Sequence, residues 1–107
     1  MDKDKAYHLL VLEDNMGDYV LLEEYIAENV PQTTFVHCAN YKDFSSYFPD
    51  QIEQFDVVFL DLSLPDIDKN QLIEFVKPYA NQVPIIVLTG YTDLSFSAKT
   101  LSAGITD

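Results

Sequence analysis

Three short apolar runs divide the chain, and polar residues follow each of them directly. The runs lie at residues 8–12, 55–60 and 84–88. They are rich in β-branched, leucine or aromatic side chains, which is typical of strands buried on both faces of a sheet. The first run leads into Glu13 and Asp14, and the second into Asp61. The third leads into Thr89 and Gly90.

Between these runs, apolar residues recur at helical spacing. Asn15, Asn40 and Asp93 stand where N-caps are expected, and prolines or Gly104 close the helices. The expected inner faces are Tyr19, Leu22 and Ile26, with Met16 and Val20 beside them, for a first helix through Asn29; Tyr41, Phe44 and Phe48 for a second that stops at Pro49; Leu72, Phe75 and Val76 for a third; and Leu94, Ala98 and Leu101 for a fourth. Another short strand is expected at residues 34–37. This alternation predicts a parallel sheet with helices on both faces.

Composition narrows the possible partners. The chain has 107 residues, of which 48% are hydrophobic, so one small packed domain is expected. Its net charge is -12, with 18 acidic residues against 6 lysines and no arginine. Such a surface repels phosphate backbones and anionic lipids, so neither nucleic acid nor membrane is an expected partner. Cys38 is the single cysteine, and the start of the chain lacks a signal peptide's apolar segment, which favours a cytoplasmic location.

The acidic residues that follow the first two runs are candidates for a metal site. Carboxyl ends of parallel strands meet at one edge of a sheet, where Glu13, Asp14 and Asp61 would repel one another without a cation. Oxygen ligands of this kind suit Mg²⁺. The metal could neutralise a phosphoryl group arriving at Asp61, because aspartate is a known nucleophile toward phosphorus. Thr89 could donate its hydroxyl to that group, and Gly90 leaves its backbone N–H unobstructed.

Simpler structural explanations exist for each of these residues. A single acidic residue after a strand is often only a turn or cap former, but the order and spacing of all three stretches favour a shared site. His8 and His37 have no partner at zinc-site spacing, so structural roles are expected for both. Cys38 lies beside a predicted strand and is expected to be a small buried residue.

Four segments together resemble the receiver domain of two-component response regulators. They are LLVLEDN at 9–15, VVFLDLSLPD at 57–66, IIVLTGY at 85–91 and LSAGITD at 101–107. The resemblance covers essentially the whole chain, in order and at the family's spacing. It implies an α/β fold of the flavodoxin-like type, a doubly wound parallel sheet whose family strand order is 2-1-3-4-5.

The resemblance also implies roles for individual residues. Asp61 would accept a phosphoryl group from the phosphohistidine of a histidine kinase or a phosphotransfer protein. Asp14 would ligate Mg²⁺ directly, Glu13 through water and Ser63 through its backbone carbonyl. Thr89 would contact the phosphoryl group and act as the conformational switch. The chain would then be a signalling domain rather than an enzyme, catalysing only its own phosphotransfer and autodephosphorylation.

Two positions depart from the family pattern. Lys69 stands where receivers usually have glycine, and the family's phosphate-binding lysine, fifth strand and fifth helix have no counterpart before Asp107. We therefore expect one receiver domain over residues 1–107, truncated at its C-terminus, with strand order 2-1-3-4. Its fourth strand and fourth helix would be uncovered, so self-association through them is expected.

Two other functions fit the same predicted fold. A receiver-like module could bind partners without phosphorylation, although the retention of Glu13, Asp14, Asp61 and Thr89 argues against it. A small phosphohydrolase would need a second acid or base near Asp61 and a substrate cap, and the sequence shows neither. Steady turnover of phosphate esters would favour the hydrolase, whereas a single stoichiometric phosphorylation would favour the receiver.

Overall fold

Four strands form one sheet in the computed structural model, which describes residues 4–88. They are β1 (His8–Leu12), β2 (Thr34–Cys38), β3 (Val57–Asp61) and β4 (Ile85–Leu88). All neighbouring pairs are parallel, and the order across the sheet is β2-β1-β3-β4. The predicted doubly wound α/β fold and its 2-1-3-4 order are thereby confirmed.

Three α-helices connect these strands. They are α1 (Met16–Asn29), α2 (Tyr41–Phe44) and α3 (Lys69–Val76). Two short 3-10 helices follow α2 and α3, at Ile52–Gln54 and Lys77–Tyr79. Two of the predicted N-caps are confirmed, because the side chains of Asn15 and Asn40 accept hydrogen bonds from the first turns of α1 and α2. Over residues 4–88, no helix is long and apolar enough to cross a bilayer.

Successive residues of β1 and β3 face opposite sides of the sheet and so build two cores. The core that includes α1 contains Leu9, Val11, Tyr19, Ile26 and Phe59. The core that includes α2 and α3 is larger and contains, among others, Leu10, Leu12, Phe44, Leu60, Leu72 and Val76. Burial on both faces explains why the sequences of these central strands are apolar almost without interruption.

The second helix is shorter than the sequence predicts. A helix reaching Phe48 was expected, but α2 ends at Phe44, and a series of turns follows. Ser45 lies at this point, and its hydroxyl donates to the Lys42 carbonyl at 2.7 Å, a local side-chain bond that competes with helix continuation. Phe48 is nevertheless fully buried, with its ring centroid 5.1 Å from that of Phe44.

The outer part of α1 also differs from the prediction. Met16 and Val20, expected beside the inner face, are 61% and 39% exposed. Tyr19 and Ile26 are buried, and they are seven residues apart, which is close to two helical turns. Val20 is rotated by about 100° from Tyr19 around the helix axis, which turns it toward solvent.

Several predictions concern residues outside the described part of the chain. These are the fourth helix with Asp93 and Gly104, and the candidate site residues Thr89 and Gly90. Lys69, by contrast, is described and is the first residue of α3. No non-glycine residue between 4 and 88 has a positive φ, so Lys69 replaces the family's glycine without a left-handed backbone.

Candidate functional site

Three carboxylates meet at the carboxyl edge of the sheet, where the central strands β1 and β3 end. Leu12 pairs with Leu60 in the parallel register, so Glu13 and Asp61 leave the two strands at the same level. Asp14 follows one residue later. One carboxylate oxygen from each of the three lies within 4.8 Å of the others. The structure therefore brings together the acidic residues that the strand order predicts to be neighbours.

Backbone hydrogen bonds orient two of these carboxylates. The Asn15 N–H donates to Oε1 of Glu13 at 3.0 Å, and the Ser63 N–H donates to Oδ1 of Asp61 at 2.9 Å. Both bonds come from the first turn after the strand, two residues beyond the acceptor. Such local bonds limit side-chain rotation, so the two carboxylates are oriented before any ligand arrives.

The electrostatics of the cluster favour the uptake of positive charge. Glu13 is only 5% exposed, and its burial, with the nearby Asp61 also contributing, raises its pKa from 4.5 to about 7. A hydrogen bond to Asp61 favours the protonated form of the exposed Asp14 carboxyl and raises its pKa as well. Glu13 and Asp14 thus hold their protons more tightly than free carboxyl groups do, because this site disfavours their negative charge. A divalent cation would supply that charge.

The donor set fits Mg²⁺ in particular. It consists of oxygen atoms only, from few residues and at a partly open edge of the sheet, which leaves room for the waters that Mg²⁺ retains. Among residues 4–88, the cluster includes neither imidazole nor thiolate. His8 starts β1 at the opposite edge of the sheet, with Nδ1 3.0 Å from the Gln54 carbonyl oxygen, and the His37 ring contacts the Glu13 backbone instead. Cys38 is buried, as the sequence predicts.

The other predicted site residues are only partly described. Ser63 lies next to Asp61, since its N–H binds that carboxylate. Thr89 and Gly90 lie outside the described residues, although Leu88, which precedes them, pairs with Asp61 in the parallel register. Their roles therefore stay predictions.

Two contacts near the site have no counterpart in the sequence-based expectations. His37 Nε2 lies 2.8 Å from the carbonyl oxygen of Glu13. Asp66, in the loop after β3, accepts hydrogen bonds from the N–H groups of Tyr41 and Lys42 at the start of α2, at 3.0 and 3.2 Å. Both contacts join residues about 24 positions apart, so no local sequence pattern signals them.

Comparison with known protein families matches residues 9–107 to the response regulator receiver domain. The chain belongs to this family. Receiver domains are signalling domains of two-component systems rather than classical enzymes, and phosphorylation and Mg²⁺ binding at an acidic pocket are typical of them. They interact with histidine kinases or phosphotransfer proteins.

One curated relative is a probable transcriptional regulatory protein, SilR, of Salmonella typhimurium. It is 25% identical over 101 residues, which are 92% of this chain and 42% of SilR. The chain thus spans less than half the length of this relative. Activities that belong to the rest of SilR therefore do not carry over to this chain.

Solved receiver domains share the fold. A signal receiver domain from Colwellia psychrerythraea superposes with a TM-score of 0.79 at 20% identity, covering 92% of this chain and 80% of that one. The phosphorylated cyanobacterial phytochrome response regulator RcpA gives 0.78 at 19% identity, covering 94% and 77%. A response regulator from Chloroflexus aurantiacus gives 0.77 at 24% identity, covering 96% and 83%. At these identities the comparisons establish the fold and leave the chemistry to the residues of this chain.

Proposed function

We propose that this receiver domain is switched by phosphorylation of Asp61, with Mg²⁺ as cofactor. The observation that carries the proposal is the meeting of Glu13, Asp14 and Asp61, whose carboxylate oxygens lie within 4.8 Å of one another. The phosphodonor is the phosphohistidine of a histidine kinase or of a phosphotransfer protein. Both the donor and this acidic domain then belong in the cytoplasm.

In the transfer step, a carboxylate oxygen of Asp61 forms a bond to phosphorus while the phosphorus–nitrogen bond of the donor breaks. The bonding electron pair returns to the imidazole nitrogen. Because the other ring nitrogen keeps its proton, the donor is released as neutral histidine. The Ser63 N–H holds Oδ1 of Asp61 and so limits the rotation of the nucleophile. When bound, Mg²⁺ supplies charge neutralisation for the incoming phosphoryl oxygens.

The remaining site residues would hold the metal or contact the phosphoryl group on Asp61. By the resemblance to receiver domains, Asp14 would hold Mg²⁺ directly beside Asp61, Glu13 would hold it through water, and Ser63 would hold it through its backbone carbonyl. Thr89 contacts the phosphoryl group and acts as the switch, and the Gly90 N–H is a further donor. The roles of Thr89 and Gly90 rest on the sequence alone, because both lie outside the described residues.

A module that binds partners without phosphorylation is the weaker candidate. It would gain nothing from keeping a buried Glu13 whose pKa is raised to about 7 by burial. A phosphohydrolase would turn over many phosphate esters per chain, whereas a receiver takes up one phosphoryl group.

The test is phosphorylation by a small phosphodonor, such as acetyl phosphate, in the presence of Mg²⁺. Intact-mass measurement should show one added phosphoryl group, which Asp61→Asn should abolish. The matched control is Asp56→Asn, which changes the same residue type just before β3 and keeps an oxygen to accept the His8 N–H. Phosphorylation that persists in Asp61→Asn would refute the assignment of the acceptor.

A further inference from the structure

The peptide groups of Glu13 are fixed from two sides by the end of β2. The Glu13 N–H donates to the Cys38 carbonyl oxygen at 3.0 Å, and His37 Nε2 lies 2.8 Å from the Glu13 carbonyl oxygen. A carbonyl oxygen can only accept, so Nε2 carries the proton and His37 is the donor. The residue that starts the acidic site is thus bonded through both its N–H and its C=O.

The imidazole is itself held in place by α1. Its ring stacks on the ring of Tyr19, with centroids 3.7 Å apart and planes 4° from parallel. Tyr19 is 7% exposed, and its hydroxyl donates to Oε2 of Glu23 at 2.7 Å. Phe35 meets the same tyrosine edge-on at 6.5 Å. His37 therefore points its Nε2 at Glu13 from a ring that packing has already oriented.

We propose that His37 is a positioning residue for the Mg²⁺ site, acting through the Glu13 peptide. This inference rests on the proposed function. Here the chain leaves β1 and turns into α1, and a Glu13 carbonyl without a partner could rotate about its flanking bonds. Such a rotation would displace Asp14, which shares that peptide bond, and the Glu13 side chain. Metal ligands must be held within about 0.5 Å of their working positions, so loss of the donor weakens metal binding.

The competing explanation is that His37 only packs against Tyr19. Substitutions of His37 separate the two roles. His37→Phe keeps an aromatic ring on Tyr19 and removes the donor. His37→Gln and His37→Met have similar length and lack the ring, but only glutamine has a donor at the position of Nε2. Tyr19→Phe is the matched control, because it keeps the stack and removes only the hydroxyl bond to Glu23.

Two measurements report on the geometry of the acidic site. The first is the Mg²⁺ dissociation constant from calorimetry, and the second is the amide resonance of Asn15, whose N–H donates to the Glu13 carboxylate. We expect His37→Phe and His37→Met to raise the dissociation constant about tenfold and to shift the Asn15 resonance. His37→Gln should bind Mg²⁺ several-fold more tightly than His37→Met, and Tyr19→Phe should match the unmodified chain.

The outcomes distinguish this inference from the proposed function. Equal Mg²⁺ affinity in His37→Phe and the unmodified chain would overturn the positioning role, as would equal weakening in His37→Gln and His37→Met. If His37→Phe does not fold, the glutamine–methionine pair decides. If the unmodified chain binds no Mg²⁺, the proposed function fails. The Asn15 resonance still decides whether His37 positions Glu13, since an unchanged resonance in the donor-free variants would overturn that role.

Discussion

Replacing Glu13 by glutamine should stabilise the metal-free protein at neutral and alkaline pH. The carboxylate of Glu13 is buried close to Asp61, and burial is the main reason that its pKa rises from 4.5 to about 7. Glutamine is isosteric and uncharged. Its side-chain oxygen can still accept the hydrogen bond from the Asn15 N–H.

The sign and size of the effect follow from this pKa. The folded protein holds the Glu13 proton more tightly than the unfolded chain, so ionising Glu13 costs folding free energy. The cost is negligible well below pH 4.5, grows as the pH rises to about 7 and is constant above that. The full shift corresponds to about 3 kcal/mol at roughly 1.4 kcal/mol per pKa unit. Because the adjacent Asp14 is open to water, screening should reduce it to roughly 1–2 kcal/mol.

Urea denaturation with a metal chelator measures this directly. As the pH rises from about 5 to about 8, the unfolding free energy of Glu13→Gln should increase by roughly 1 kcal/mol or more relative to that of the unmodified chain. Glu24→Gln makes the same chemical change at an exposed position of α1 and serves as the matched control. Added Mg²⁺ should stabilise the unmodified chain more than Glu13→Gln, because the metal binds the folded state and glutamine lacks the charge.

One result would refute the reasoning. If Glu13→Gln and Glu24→Gln show the same dependence of stability on pH, the burial of Glu13 does not hold its pKa up. The position of Glu13 at the end of β1 would then not disfavour its negative charge.

Two further predictions concern groups around the site. Asp66→Ala should lower the unfolding free energy, measured in urea, by about 1 kcal/mol, because the N–H groups of Tyr41 and Lys42 lose their acceptor. Asp68→Ala removes the N-cap of α3 and serves as the reference. An unchanged unfolding free energy in Asp66→Ala would show that these bonds between the loop and α2 do not stabilise the fold. Cys38 is 1% exposed, and burial raises the pKa of its thiol to about 11, so alkylation by iodoacetamide at about pH 8 should be at least tenfold slower than in urea. Equal rates in both conditions would show that the thiol is accessible.

The fold could be predicted because its signals are local. Asn15 and Asn40 cap the helices that the sequence assigns to them, and each apolar run became a strand of the sheet. The length of α2 could not be predicted, because the buried Phe48 keeps helical spacing with Phe44 although the chain between them turns. Spacing alone does not distinguish a helix from a turn that delivers the same side chain to the core. The self-association expected through the fourth strand and fourth helix stays a prediction.

The acidic site could be predicted for a different reason. Asp61 is far in sequence from Glu13 and Asp14, but it ends β3 while they follow β1, and parallel strands end at one edge. Strand order alone therefore makes them neighbours. The bonds to His37 and Asp66 depend instead on register and loop path, which apolar patterns do not specify.

The free energy lost when Glu13 ionises is offset by the burial of the strand that precedes it. Glu13 follows four residues of β1, Leu9 to Leu12, that are all 0% exposed, and fully burying a leucine or valine contributes about 1.5–3 kcal/mol each. That gain exceeds the roughly 1–2 kcal/mol lost when the Glu13 carboxylate ionises in the metal-free protein. The central strand can thus hold a carboxylate in a setting that disfavours its charge. A cation would relieve that setting, so under the proposed function the same packing that stabilises the sheet also favours Mg²⁺ binding at its edge.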